Sequence, residues 1–109
     1  MEGLRSLKVV CVQYSPELKQ LEKNMKTVEE MLKKYTKEDA IDVVLLPEMA
    51  FTGYKFDDIE DLLPLPETAG VGPTFEWCKK EALRLCSYIF CGYPEVVEET
   101  NGEKKYYNS

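Results

Sequence analysis

Three short apolar runs alternate with stretches of helical period, and this alternation leaves the chain few folds to choose from. The runs are residues 8–13 (Lys-Val-Val-Cys-Val-Gln), 41–46 (Ile-Asp-Val-Val-Leu-Leu) and 88–92 (Tyr-Ile-Phe-Cys-Gly). Continuous apolar, β-branched stretches of this length read as strands buried on both faces. Between the first two runs, Leu18, Leu21, Met25, Val28, Leu32 and Tyr35 recur every three or four residues. They form one apolar stripe on a helix, with Ser15 as N-cap and Pro16 as first helical residue. The stripe covers about three heptads, too short for a coiled coil, so it is expected to face a core. Before the third run, Gly72-Pro73-Thr74 is a helix-start signal, and Phe75, Cys78, Ala82, Leu85 and Cys86 mark the expected apolar face. The order β-α-β-α-β predicts an α/β fold with a mainly parallel sheet and right-handed crossovers. The pattern leaves open whether the helices take both faces of the sheet or one.

Residues 47–72 join the second strand to the second helix and are rich in Pro, Gly and Asp. A connection of that length inside a compact domain is usually functional or holds a short helix, for which 57–63 is the candidate. After the third strand, Asn101-Gly102 is a strong two-residue hairpin signal. A turn centred there pairs Glu99 with Lys104, Glu98 with Lys105, Val97 with Tyr106 and Val96 with Tyr107.

Composition excludes several classes of function. The chain has 109 residues, room for one compact domain, with 44% apolar and 31% charged residues, an ordinary globular mix. Its net charge is −6 and its lysine pairs are scattered among acids, so neither nucleic acid nor an anionic membrane is an expected partner. No stretch approaches the ~20 apolar residues that span a bilayer, and residues 1–6 lack the apolar core of a signal peptide. The four cysteines show no Cys-x-x-Cys spacing, which suits a reduced, cytoplasmic protein. Histidine is absent, which removes Ser-His and Cys-His dyads and most zinc sites from these residues.

One carboxylate stands where chemistry is expected. Glu48 follows Pro47 at the carboxyl end of the second strand, the edge at which open α/β sheets place ligands. Flanked by Leu45-Leu46 and Met49-Ala50-Phe51, it is expected to be partly desolvated, as suits a general base. An acid on an exposed loop is the plainer reading of Glu48 taken alone.

The surrounding motifs favour the functional reading. The run Leu46-Pro47-Glu48-Met49-Ala50-Phe51-Thr52-Gly53-Tyr54 closely resembles the segment that bears the first catalytic residue of the nitrilase superfamily of carbon–nitrogen hydrolases. Gly72-Pro73-Thr74-Phe75, Gly92-Tyr93-Pro94-Glu95 and Tyr107-Asn108-Ser109 follow in family order and at family-like spacing. Within the superfamily, the Thr52-Gly53-Tyr54-x-Phe56 run and the Asp61-Leu62-Leu63-Pro64 run are most similar to the protein N-terminal amidases. The resemblance covers essentially the whole chain. It implies the N-terminal portion of an αββα sandwich, with both helices on one face and the other face apolar and open. It also implies a Glu-Lys-Cys mechanism that uses no metal or organic cofactor, acting on the side-chain amide of N-terminal Asn or Gln. Glu48 matches the general base. Cys11, Cys78, Cys86 and Cys91 do not match the nucleophile, and no lysine here matches the catalytic one. Thr52, Gly53 and Tyr54 are read as shaping the loop and lining the pocket.

The expected protein is therefore an amidohydrolase, of which residues 1–109 form a partial domain truncated after Tyr-Asn-Ser and inactive alone. A different class is a catalytically silent, partner-binding subunit. In either case the apolar surface of Val9, Val10, Val43, Leu45, Ile89 and Phe90 exceeds what two helices cover, so the remaining half of the fold or a partner protein must cover it. A flavodoxin-like binding domain is disfavoured, because Tyr14-Ser15-Pro16 stands where a Gly-rich phosphate loop would be.

Overall fold

A computed structural model describes residues 3–109. Three strands form a parallel sheet in the order β1 (Val9–Cys11), β2 (Val43–Leu45), β3 (Tyr88–Phe90). Between them lie α1 (Leu21–Leu32), the short α2 (Ile59–Leu62) and α3 (Pro73–Leu85). Two further strands, β4 (Pro94–Glu98) and β5 (Lys104–Asn108), make a separate antiparallel hairpin.

The strand order decides the question that the sequence pattern leaves open. In the order 1-2-3 both crossovers step the same way across the sheet, so two right-handed crossovers place both helices on one face. Val10, Val44 and Ile89 are neighbours in register and point to that face, against a core of Val28, Leu32, Ile41, Phe51, Trp77 and Leu85. Phe51 meets Trp77 edge-on, with ring centroids 4.8 Å apart. Each fully buried side chain such as Val44, Phe51 or Leu85 contributes about 1.5–3 kcal/mol. Arg84 ties the two helices together, donating to the Leu32 carbonyl (3.3 Å) at the end of α1 and the Tyr35 carbonyl (2.7 Å) just beyond it, while its fork holds the buried Glu81 carboxylate.

The opposite face is open and apolar, as expected. Val9, Leu45, Phe90 and Tyr88 are all exposed on it, Tyr88 to 77%. The three strands are each three residues long and alternate in burial, so within this chain they are covered on one face and not on both.

Three local expectations need correction. Helix α1 begins at Leu21, not at Ser15-Pro16. The buried Asn24 amide accepts from the Glu17 N–H (2.9 Å) and donates to the carbonyls of Glu17 and Phe51 (both 2.8 Å), holding the preceding residues in a non-helical turn. The face of α3 is rotated from its expected line. Thr74, Trp77, Glu81 and Leu85 are buried, while Phe75 and Cys86 are exposed, because Trp77 fills the core and Arg84 neutralises Glu81.

The hairpin register is shifted by one residue. Val96 pairs with Tyr106, Val97 with Lys105 and Glu98 with Lys104. The cause is the turn. Gly102 has φ +85° and its N–H reaches the Glu99 carbonyl (2.9 Å), while Glu99 pairs with Glu103 (2.7 Å). This is a three-residue loop closed by a left-handed glycine, supported by the Asn101 side chain accepting from Glu103 N–H (2.9 Å). A two-residue turn would have given the expected register. The short helix expected within 57–63 is present as α2, capped by Asp58.

Candidate active site

Glu48 sits just beyond the carboxyl end of β2, on a loop whose backbone is held from four directions. The Leu46 N–H extends the ladder to the Phe90 carbonyl (2.9 Å), and Pro47, which has no N–H, ends it. The chain then turns through Met49 at φ +48°, and the Met49 carbonyl accepts from Thr52 N–H (3.2 Å) and Gly53 N–H (2.9 Å). Ala50 and Phe51 plunge into the core. From below, the Tyr14 hydroxyl donates to the Ala50 carbonyl. Burial holds that hydroxyl well above its ordinary range.

From the side comes Gly92. Its missing Cβ would lie 2.9 Å from the Met49 nitrogen and 3.1 Å from the Glu48 Cα. Only a glycine lets the chain beyond β3 approach this closely, and its carbonyl accepts from Ala50 N–H (3.2 Å).

The same turn that sends Met49, Ala50 and Phe51 inward leaves the Glu48 side chain outward. Glu48 is exposed in this chain, so the partial desolvation expected from its apolar neighbours is not found among the described residues. Those neighbours bury themselves instead of covering it. Its carboxylate Oε1 accepts from the Asn108 side-chain amide at 2.5 Å. Glu48 faces an open cleft of about 400 Å³, lined also by Gln13, Tyr14, Ser15, Pro47 and Tyr54.

Other singled-out residues divide cleanly. Thr52 is buried, its hydroxyl donating to the Gly53 carbonyl (2.9 Å), and Gly53 adopts φ +76° against Leu18, so both shape the loop. Tyr54 is 62% exposed and lines the cleft beside Glu48. Cys78 and Cys91 lie elsewhere, on a cavity of about 170 Å³ between α3 and β3, and Cys11 and Cys86 are exposed. Among the described residues no cysteine or lysine lines the Glu48 cleft. Among the described residues no group of three or more His, Cys, Asp or Glu is placed to hold a metal ion, and no helix is long and apolar enough to cross a membrane. Sequence reasoning placed Glu48 but missed the amide that holds it. The Tyr107-Asn108-Ser109 motif was visible, but only the hairpin brings Asn108 to Glu48.

Residues 8–109 match the family model described as carbon-nitrogen hydrolase. The protein N-terminal amidase of Saccharomyces cerevisiae is 37% identical over 109 residues, which cover 97% of this chain and 23% of that protein. Crystal structures of N-terminal amidase with a Gln-Val peptide and with an Asn-Glu peptide each superpose with a TM-score of 0.80 at 35% identity, covering 94% of this chain and 24% of theirs. The chain thus spans about a quarter of the length of these relatives and has the N-terminal portion of the nitrilase-type fold. With Glu48 at a strand end, both helices on one sheet face and a family match across nearly its whole length, this chain belongs to the carbon–nitrogen hydrolase family.

Proposed function

We propose that these residues supply the general base of an amidase that removes the side-chain amide of N-terminal Asn or Gln from peptides. The observation that carries this reading is the placement of Glu48, an accessible carboxylate on a rigid loop at the strand-end cleft. The solved N-terminal amidases with Gln-Val and Asn-Glu peptides support the substrate class.

In the mechanism, one Glu48 oxygen takes the proton of a cysteine thiol supplied by the rest of the protein. The thiolate adds to the amide carbon, and a lysine from the same remainder stabilises the oxyanion. The C–N bond breaks, ammonia leaves with the proton returned by Glu48, and a thioester remains. Glu48 then deprotonates a water, whose oxygen displaces the cysteine; the departing sulfur takes that proton back from Glu48, and the new side-chain acid ionises to a carboxylate on the peptide. Residues 1–109 provide the base without the nucleophile and are inactive alone, as a partial domain.

Packing points the same way. The open sheet face of Val9, Leu45, Tyr88 and Phe90 suits cover by a second sheet from the remainder of the protein. The same face supports a second reading, a catalytically silent subunit that docks a partner there. Four free cysteines suit a reducing compartment such as the cytoplasm. The test is ammonia release by the full-length protein from peptides beginning with Asn or Gln, beside the same peptides acetylated at the N-terminus. Turnover confined to the free N-termini supports the amidase. Equal turnover of both would overturn the substrate class, and none at all would favour the silent subunit.

A further inference from the structure

We propose that Asn108 is a positioning residue for Glu48, fixing one carboxylate oxygen so that the other faces the reacting thiol. This rests on the reading of Glu48 as the base. The contact joins residues far apart in sequence and on different elements, Glu48 on the loop after β2 and Asn108 at the end of β5.

Both partners are held by one short stretch of backbone. Gly92 lies against the Glu48–Met49 peptide, and its carbonyl takes the Ala50 N–H. The next residue, Tyr93, exchanges both backbone hydrogen bonds with Ser109 (2.8 and 3.0 Å), and Pro94 stands opposite Asn108 in the ladder. Residues 92–94 therefore set the Glu48 loop on one side and the Asn108 strand on the other. The backbone thus holds the two residues at a fixed separation, which the side-chain hydrogen bond between them spans.

The chemistry of the partner fits the task. A carboxylate on a loop can rotate about its last torsion, and a base whose oxygens wander spends little time in line with a thiol. A donor to Oε1 stops that rotation and leaves Oε2 free. The amide must present its NH2, since its oxygen would meet the carboxylate with like partial charge. An amide also carries no charge and exchanges no proton at neutral pH. It can orient Glu48 without forming the ion pair that a lysine or arginine would make, which would compete with the proton Glu48 has to accept.

The experiment measures ammonia release by the full-length protein carrying Asn108→Leu, which keeps volume without a donor, or Asn108→Asp, which keeps shape and places a second carboxylate against the first. Asn108 is exposed within these residues, and the Tm of each variant reports whether the full-length protein folds. The expected result is a kcat about 10- to 100-fold lower, the scale of one charge-assisted hydrogen bond, with KM within about twofold and an unchanged Tm. A structural role would instead lower Tm and raise KM alongside. Wild-type kcat in both variants, or a loss matched by changes in KM and Tm, would overturn the proposal. A Glu48→Gln variant run in parallel separates the two levels. If Glu48→Gln is unimpaired, the base itself is misassigned. If it is impaired while both Asn108 variants are normal, only the positioning role fails.

Discussion

Gly92→Ala should damage the site without touching a reacting group. The added Cβ would stand 2.9 Å from the Met49 nitrogen, whereas ordinary contact begins at 3.4 Å, so the Glu48–Met49 peptide must retreat by about 0.5 Å. The obstructing atoms are backbone, and Ala50 and Phe51 anchor that backbone in the core, so there is no flexible tip to swing aside. The Ala50 N–H to Gly92 carbonyl bond, already 3.2 Å, would open with the retreat. Overpacking of this kind costs about 1–3 kcal/mol. A misplacement of 1 Å costs on the order of 10²-fold in rate, so half of that costs about tenfold. Gly102→Ala is the control. It sits at the hairpin tip at φ +85° with nothing within 4 Å, so it should cost about 1–2 kcal/mol of backbone strain and leave turnover unchanged. The assay is Tm together with kcat for ammonia release in the full-length protein. Gly92→Ala with wild-type values of both would refute the claim that close approach at Gly92 sets the position of Glu48.

Two further outcomes follow from the fold. Asn24→Ala removes the amide that closes the turn before α1 and leaves the buried Phe51 carbonyl without its partner, at about 1–3 kcal/mol, read by denaturant unfolding. Asp42 is held below its ordinary range by the Lys8 N–H first and by the Arg5 guanidinium as well. The native state therefore binds fewer protons there, so Asp42 stabilises above its unfolded value of 3.8, and that stabilisation is lost as pH falls through the lower folded value. The difference in Tm between wild type and Asp42→Asn should be constant near neutral pH and close in acid; a constant difference down to about pH 2 would contradict the linkage.

The sequence showed the strands, the start of α3 at Gly72-Pro73, the short α2 and the position of Glu48 after β2 because each is written in local chemistry: β-branched runs, a proline at the first helical turn, an acid after a strand. What it hid came from side chains acting at a distance. The stripe from Leu18 to Tyr35 reads as one long helix, but Asn24 bonds back to Glu17 and across to Phe51, and helix formation starts only after that knot. Arg84 closes on the Glu81 carboxylate and lets it be buried, which turns the buried face of α3 away from the line of Phe75 and Cys86. Asn101-Gly102 signals a turn without saying whether two or three residues form the loop, and that choice shifts every pair in the hairpin. Glu48 was found by motif, yet its exposure and its tie to Asn108 depend on where the neighbouring backbone goes.

The most direct test of Glu48 as the base is Glu48→Gln in the full-length protein, assayed by ammonia release from peptides beginning with Asn or Gln. Glutamine keeps the volume and can still take part in hydrogen bonding with Asn108, so the fold and the KM should survive while the proton acceptor is gone. The predicted result is a kcat lower by about 10²–10⁴-fold, the usual contribution of a general base. Turnover by the variant at the wild-type rate would contradict the assignment of Glu48.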